Sequence, residues 1–170
     1  MASEANTEAD REIVVSRIIE GPRRLVFDAF TSADHLAEWC APWAGSKITT
    51  HAFDFKPGGV WDATIQGPDG RAYPNHWVWT EIVPPERIVW MYSLKKDDPS
   101  AVRTTLTLTE RGNTTEATLQ LLFGSKEERD EKVAKFYAAQ GAQQTLESLA
   151  AYVASARASH KGAGSSTLNI

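Results

Sequence analysis

Only one cysteine, Cys40, occurs in the chain, so no internal disulfide can form. That fits a reducing compartment, and 170 residues can bury a full core without covalent or metal staples. No apolar run approaches the roughly 18–20 residues needed to span a bilayer. The start, MASEANTEADREI, is polar and acidic and lacks the basic-then-apolar order of a secretion signal. A cytoplasmic setting without a membrane span is therefore expected. Basic clusters are missing too, and the net charge is -4. This argues against nucleic acid as a partner, because such binding draws on neutralised phosphates. His35, His51, His76 and His160 are scattered, with no HExxH-type pair, so no metal site is expected. No glycine-rich loop opens a helix to cradle phosphate, and no cofactor is expected.

What the chain does have is ordinary globular composition, 42% hydrophobic and 24% charged. Its length fits one domain, read as 11–156, flanked by small, polar tails at 1–10 and 157–170. The tryptophans are unevenly spread. All six (Trp39, Trp43, Trp61, Trp77, Trp79 and Trp90) fall between 39 and 90, and the last eighty residues have none. A flat ring with one polar N–H suits either a packed core or the wall of a partly open pocket.

Residues 11–20 are rich in β-branched side chains and read as a strand, stopped by Gly21-Pro22. A helix is predicted over Arg23–Phe30, with Pro22 at its start, and a second over Ala33–Trp39, capped by Thr31 or Ser32. Strands then follow in quick succession. Ile48–Phe55 alternates, which predicts His51, Phe53 and Phe55 on one face. Lys56-Pro57-Gly58-Gly59 and Gly67-Pro68-Asp69-Gly70 are turns around a strand carrying Trp61, Ala63 and Ile65 on one face. Tyr73–Val83 ends at Pro84-Pro85, and Arg87–Leu94 sets Ile88, Trp90, Tyr92 and Leu94 together. A final hairpin pairs Val102–Glu110 with Thr115–Phe123. Alternation of this kind implies an antiparallel sheet with one covered face.

The cover is the last segment. Ser125 can cap a helix with Glu128 in capping-box position, and no proline interrupts the chain from there to 156. About thirty residues at 1.5 Å each would make a helix of about 45 Å, long enough to cross a small sheet. Leu146, Leu149, Tyr152 and Val153 stand at core spacing, whereas Phe136, Tyr137, Gln140 and Gly141 form a mixed face.

The order β-α-α, hairpins, long helix resembles the helix-grip fold of START and Bet v 1-like (SRPBCC) proteins. Four segments resemble the activator of Hsp90 ATPase homologue 1-like family within it. They are Gly21-Pro22-Arg23-Arg24-Leu25-Val26-Phe27-Asp28-Ala29-Phe30 with His35-Leu36 and Trp39, Phe53 through Trp61, Glu81 through Val89, and Gly141 through Leu146 with Tyr152-Val153. The resemblance implies an α+β fold in which a curved antiparallel sheet of six to seven strands, two short helices and a long C-terminal helix enclose a cavity. It carries no substrate with it. Where relatives often have a small residue before the Glu-Ile-x-Pro-Pro motif, this chain has His76-Trp77-Val78-Trp79, and two indoles on one strand face would reshape the cavity.

Binding of a small hydrophobic or aromatic molecule is the leading expectation, rather than catalysis. The residues expected to line the space are Trp39, Trp43, His51, Phe53, Trp61, Ala63, His76, Trp77, Trp79, Trp90, Tyr92, Phe136, Tyr137 and Gln140. An alternative, implied by the fold, is a cavity enzyme of the polyketide cyclase or hydrolase type, with polar groups from His51, His76, Tyr92, Tyr137 and Gln140 and a histidine as general acid or base. A third, implied by family resemblance alone, is an Hsp90-type co-chaperone. It is the weakest, since the eukaryotic activators carry an additional N-terminal domain that makes much of the chaperone contact, and only ten loose residues precede the first strand here. A sheet edge or helix surface could support a homodimer. Cys40 reads as a small buried hydrophobe rather than a nucleophile.

Overall fold

A computed structural model describes residues 7–40 and 45–168, with backbone alone for 136 and 159–168. Seven strands form one antiparallel sheet in the spatial order β1-β7-β6-β5-β4-β3-β2. They are β1 (Glu12–Ile19), β2 (Lys47–Phe53), β3 (Val60–Gln66), β4 (Ala72–Val83), β5 (Arg87–Ser93), β6 (Val102–Arg111) and β7 (Thr114–Leu122). Helices α1 (Arg23–Asp28) and α2 (Ala33–Trp39) fill the link from β1 to β2, and α3 (Lys126–Phe136) and α4 (Ala138–Leu168) end the chain. This is the α+β helix-grip arrangement that the sequence pattern predicts.

The sheet covers one face because its strands alternate. Val102, Thr104, Leu106 and Leu108 on β6, and Thr115, Ala117 and Leu119 on β7, are buried, and their neighbours face outward. Helix α4 answers with Ala142, Leu146, Leu149 and Val153, a stripe at helical spacing that packs chiefly on β1. At the foot of β1 the approach is close: a Cβ at Gly21 would stand 2.8 Å from Val153 Cγ1. The sheet curls through register shifts between Thr50 and Ala52 and between Trp79 and Glu81. The Gly58-Gly59 turn adds to this. Gly58 takes φ +87°, and Gly59 passes so close to the carbonyl of Asp54 that a side chain there has no room.

Local caps form as their residues dictate. Ser32 Oγ accepts from His35 N at 3.1 Å, and Ser125 Oγ accepts from Glu128 N at 3.1 Å. Glu128 reaches back to Gly124 N (2.9 Å), one residue before the cap. Two expectations are corrected. The first helix stops at Asp28 rather than Phe30. The single long helix is two, because Tyr137 adopts the left-handed conformation (φ 53°, ψ 42°) between α3 and α4. Neither proline nor glycine marks that break, so nothing in the sequence announces it.

Candidate functional site

The inner face of the sheet, beneath the helices, is aromatic at its lower end. The indoles of Trp77 and Trp90 stack at 4.5 Å with planes 11° apart. Trp61 stands edge-on to Trp77 at 4.8 Å, and Trp79 edge-on at 5.5 Å. Phe53 and Phe55 close the side of Trp79, with Phe55 at 4.8 Å and 82°. From the turn between α1 and α2, Phe30 reaches Trp90 (5.8 Å) and Trp39 of α2 (5.0 Å). These are the offset and edge-on geometries that ring quadrupoles favour. Each ring buries about 200 Å², about 5 kcal/mol of gross transfer energy, so this wall is a large part of what holds the sheet to its helices.

Strand register brings these rings together. Trp61 lies opposite Trp77 in the β3–β4 ladder, and Trp79 opposite Trp90 in the adjoining β4–β5 ladder. Indole polarity is met unevenly. Trp39 Nε1 donates to the Ala29 carbonyl (2.9 Å) and Trp61 Nε1 to Thr50 Oγ1 (3.0 Å). Trp77 Nε1 donates to Asn75 Oδ1 (3.1 Å), whereas Trp79 Nε1 is buried without a partner.

Above the rings, toward the start of β4 and the end of β5, the inner face changes character. Ala63 and Asn75 sit side by side, and Tyr92 flanks Trp77. Cys40, at the end of α2, packs against the core beside them. Burial pushes the Cys40 thiol up to about 12. Desolvation, and then the neighbouring Cys40 sulfur, also raise Tyr92. Tyr92 nevertheless keeps 37% of its surface exposed, and Tyr73 and Leu94 at the same end are similarly open. The α3–α4 break, with Tyr137 65% exposed, stands at this upper end as well, because α4 runs alongside β1 from there down to Val153. Large apolar side chains from two sides of the fold therefore reach solvent around one end of the inner face.

The residues singled out from sequence divide accordingly. Phe53, Trp61, Ala63, Trp77, Trp79, Trp90 and Tyr92 are on the inner face of the sheet, and Trp39 is buried in the same core from α2, against Phe30. Tyr137 and Gln140 are exposed near its upper end. Trp43 lies outside the described residues, as does the side chain of Phe136. The two histidines do not join the others. His76 precedes Trp77 and so points to the outer face, where its Nδ1 lies 3.7 Å from Asp62 Oδ1. His51 is the extra residue of the β2 bulge, which breaks the alternation expected over Ile48–Phe55. Thr50 and Phe53 face inward, and His51 is exposed with Nε2 2.7 Å from Thr64 Oγ1. No histidine among the described residues reaches the inner face beside the tryptophans.

Asn75 was absent from the sequence expectation. Its signal was the alternation Asn75, Trp77, Trp79, which puts a polar side chain on the covered face of β4. A separate depression of about 350 Å³ lies between β1 and α4, lined by Val15, Arg17, Gln143 and Glu147 among others. It shares no residue with the aromatic wall. Among the described residues no three His, Cys, Asp or Glu side chains converge to hold a metal, and no helix is long and apolar enough to cross a membrane.

Several solved structures share this fold. A protein from Nitrosomonas europaea matches with TM-score 0.74 and 20% identity, covering 89% of this chain and 99% of its own. One from Mycobacterium smegmatis matches at 0.76 and 19%, covering 89% and 96%. A Staphylococcus aureus protein described as of unknown function matches at 0.69 and 14%, covering 86% and 94%. A search of curated proteins finds no match. The model of the family described as "Activator of Hsp90 ATPase homolog 1-like protein" matches residues 20–154, most of the chain. With the helix-grip fold and the motif segments inside that span, the chain belongs to the activator of Hsp90 ATPase homologue 1-like family.

Proposed function

We propose that the protein binds a small, mainly apolar aromatic molecule at the upper end of the inner face, above the stacked Trp77–Trp90 pair. The tryptophans below form a floor rather than the walls of a deep cavity, since their faces and edges are spent on one another. The bound molecule rests on that floor beside Ala63, Asn75 and Tyr92, entering past Tyr92, Leu94 and the α3–α4 break.

The observation that carries this reading is the burial of the Asn75 amide nitrogen without a partner, at the one end of the inner face where large apolar side chains are open to solvent. An unsatisfied buried donor costs about 1–3 kcal/mol, and at this open end, unlike at the ring-enclosed Trp79 Nε1, an acceptor on a bound molecule can return that cost. Native mass spectrometry and tryptophan fluorescence against a panel of one- and two-ring aromatic compounds test it. Saturable one-to-one binding that changes indole emission is expected. A panel that leaves both mass and emission unchanged refutes it.

A further inference from the structure

We infer that the Asn75 amide nitrogen is the recognition donor of this site, and that the molecule it selects carries a neutral carbonyl-type oxygen on an aromatic body. The inference rests on the binding reading above and adds the polar half of the ligand to it.

The orientation of the amide is fixed by its neighbour. The indole Nε1–H of Trp77 can only donate, and it lies 3.1 Å from the Asn75 side-chain oxygen. Turning the amide over would set two donors against each other, so Nδ2 with its two hydrogens is the free end. Asn75 is 4% exposed, and Nδ2 meets no acceptor. Most other buried polar side chains on the sheet are satisfied: Thr104 by Val102 O, Ser93 by Lys95 O, and Thr115 by Gly21 O.

The remaining unpartnered groups do not compete for the role. Trp79 Nε1 is hemmed in by Phe53, Phe55, Trp77 and Trp90. Arg87 already pairs with Glu81 at 3.5 Å through another nitrogen. Ser46 Oγ lies just ahead of β2, at the same upper end as Asn75. Among the described residues with an orphaned buried polar atom, Asn75 is the one whose donor stands in the ladder directly beside the Trp61–Trp77 pair at the open end.

The missing partner must be an acceptor, and the surroundings decide its charge. The inward positions nearest Asn75 are Tyr73 and Trp77 on its own strand, Trp61, Ala63 and Ile65 on β3, and Tyr92 on β5. None is a cation. A carboxylate would be buried there without a counter-charge, a large penalty, whereas a ketone, aldehyde or amide oxygen carries no such burden. A site built to donate one hydrogen bond discriminates against the analogue that lacks the acceptor, because the donor is then left empty.

Acetophenone and ethylbenzene, which differ by the carbonyl oxygen, are the probes. On the wild-type chain, side-chain amide and indole signals are followed by proton–nitrogen correlation NMR. The Asn75 amide resonances should move with acetophenone and stay in place with ethylbenzene, while the Trp77 and Trp90 indole signals respond to both. In Asn75→Leu, which keeps the size and removes the donor, the ratio of the two dissociation constants should shift toward ethylbenzene by about tenfold or more. Indole signals that respond to both probes with a stationary Asn75 amide, or an unchanged ratio in Asn75→Leu, overturn the inference and leave aromatic binding standing. Indole signals that ignore both probes overturn the binding reading and this inference together.

Discussion

Trp61 and Trp79 allow a matched experiment on the aromatic wall. Both side chains are fully buried, both face inward and both contact Trp77 edge-on. Replacing either by Phe removes the same atoms, so the transfer and cavity costs nearly cancel in the comparison. The indole N–H does not cancel. In Trp61→Phe a hydrogen bond to Thr50 Oγ1 is lost, a net cost of about 1 kcal/mol. In Trp79→Phe a buried donor with no partner is removed, which returns about 1–3 kcal/mol of desolvation. Aromatic rings (Phe53, Phe55, Trp77 and Trp90) pack against the Trp79 indole, and rings are weak acceptors at best. Trp79→Phe should therefore be the more stable variant by about 2–4 kcal/mol. For a chain of this size that corresponds to roughly 5–10 °C in Tm. Urea and thermal unfolding followed by far-ultraviolet circular dichroism measure it without relying on indole emission. If Trp79→Phe is no more stable than Trp61→Phe, the account of a ring-packed floor with one orphaned N–H is wrong.

Gly59→Ala should destabilise by about 3 kcal/mol or more, read as the shift in urea midpoint, because the added methyl meets backbone atoms of Asp54 and Lys56 that cannot swing aside. Tyr137→Gly should stabilise by about 1 kcal/mol in the same assay, since a left-handed residue is held there at a cost that glycine does not bear and the exposed ring contributes little packing. Alkaline pH should weaken the fold. Cys40, Tyr92 and Tyr152 all have raised values in the native state, so the unfolded chain gives up protons first. Stability is then fully present below the ordinary thiol value of 9.0 and falls as pH rises toward about 12. Unfolding midpoints measured across that range should decline, with a shallower decline in Cys40→Ala. A thiol reagent at pH 8 should label Cys40 more slowly in the native chain than in the urea-unfolded one, because burial holds the thiol protonated.

Strand alternation and turn chemistry carried most of the fold. The β6–β7 hairpin around Gly112-Asn113, the turn at Gly67–Gly70 and the caps at Ser32 and Ser125 depend on short-range patterns that the sequence displays directly. Two features escaped because their cause is tertiary. The bulge at His51 is a register shift fixed by pairing with β3, and it reverses the faces of His51 and Thr50 relative to Phe53 without leaving a mark in the composition. The helix break at Tyr137 occupies a conformation that tyrosine disfavours, so packing rather than propensity places it. The tryptophans could be assigned to the covered face from alternation, but not the choice between lining a space and filling it. That choice depends on ring orientations such as the stack of Trp77 on Trp90. Asn75 is legible in parity alone: it alternates with Trp77 and Trp79, but composition does not mark an amide as inward.

The central claim is that a ligand lies above the Trp77–Trp90 floor rather than among the tryptophans or in the depression between β1 and α4. Crystals soaked with 4-bromoacetophenone, with anomalous data collected at the bromine edge, test it most directly. The account predicts one ordered bromine on the inner face at its upper end, with the ketone oxygen within hydrogen-bond distance of Asn75 Nδ2. A bromine confined to the groove lined by Arg17, Gln143 and Glu147, or no ordered bromine at saturating soak, would contradict it.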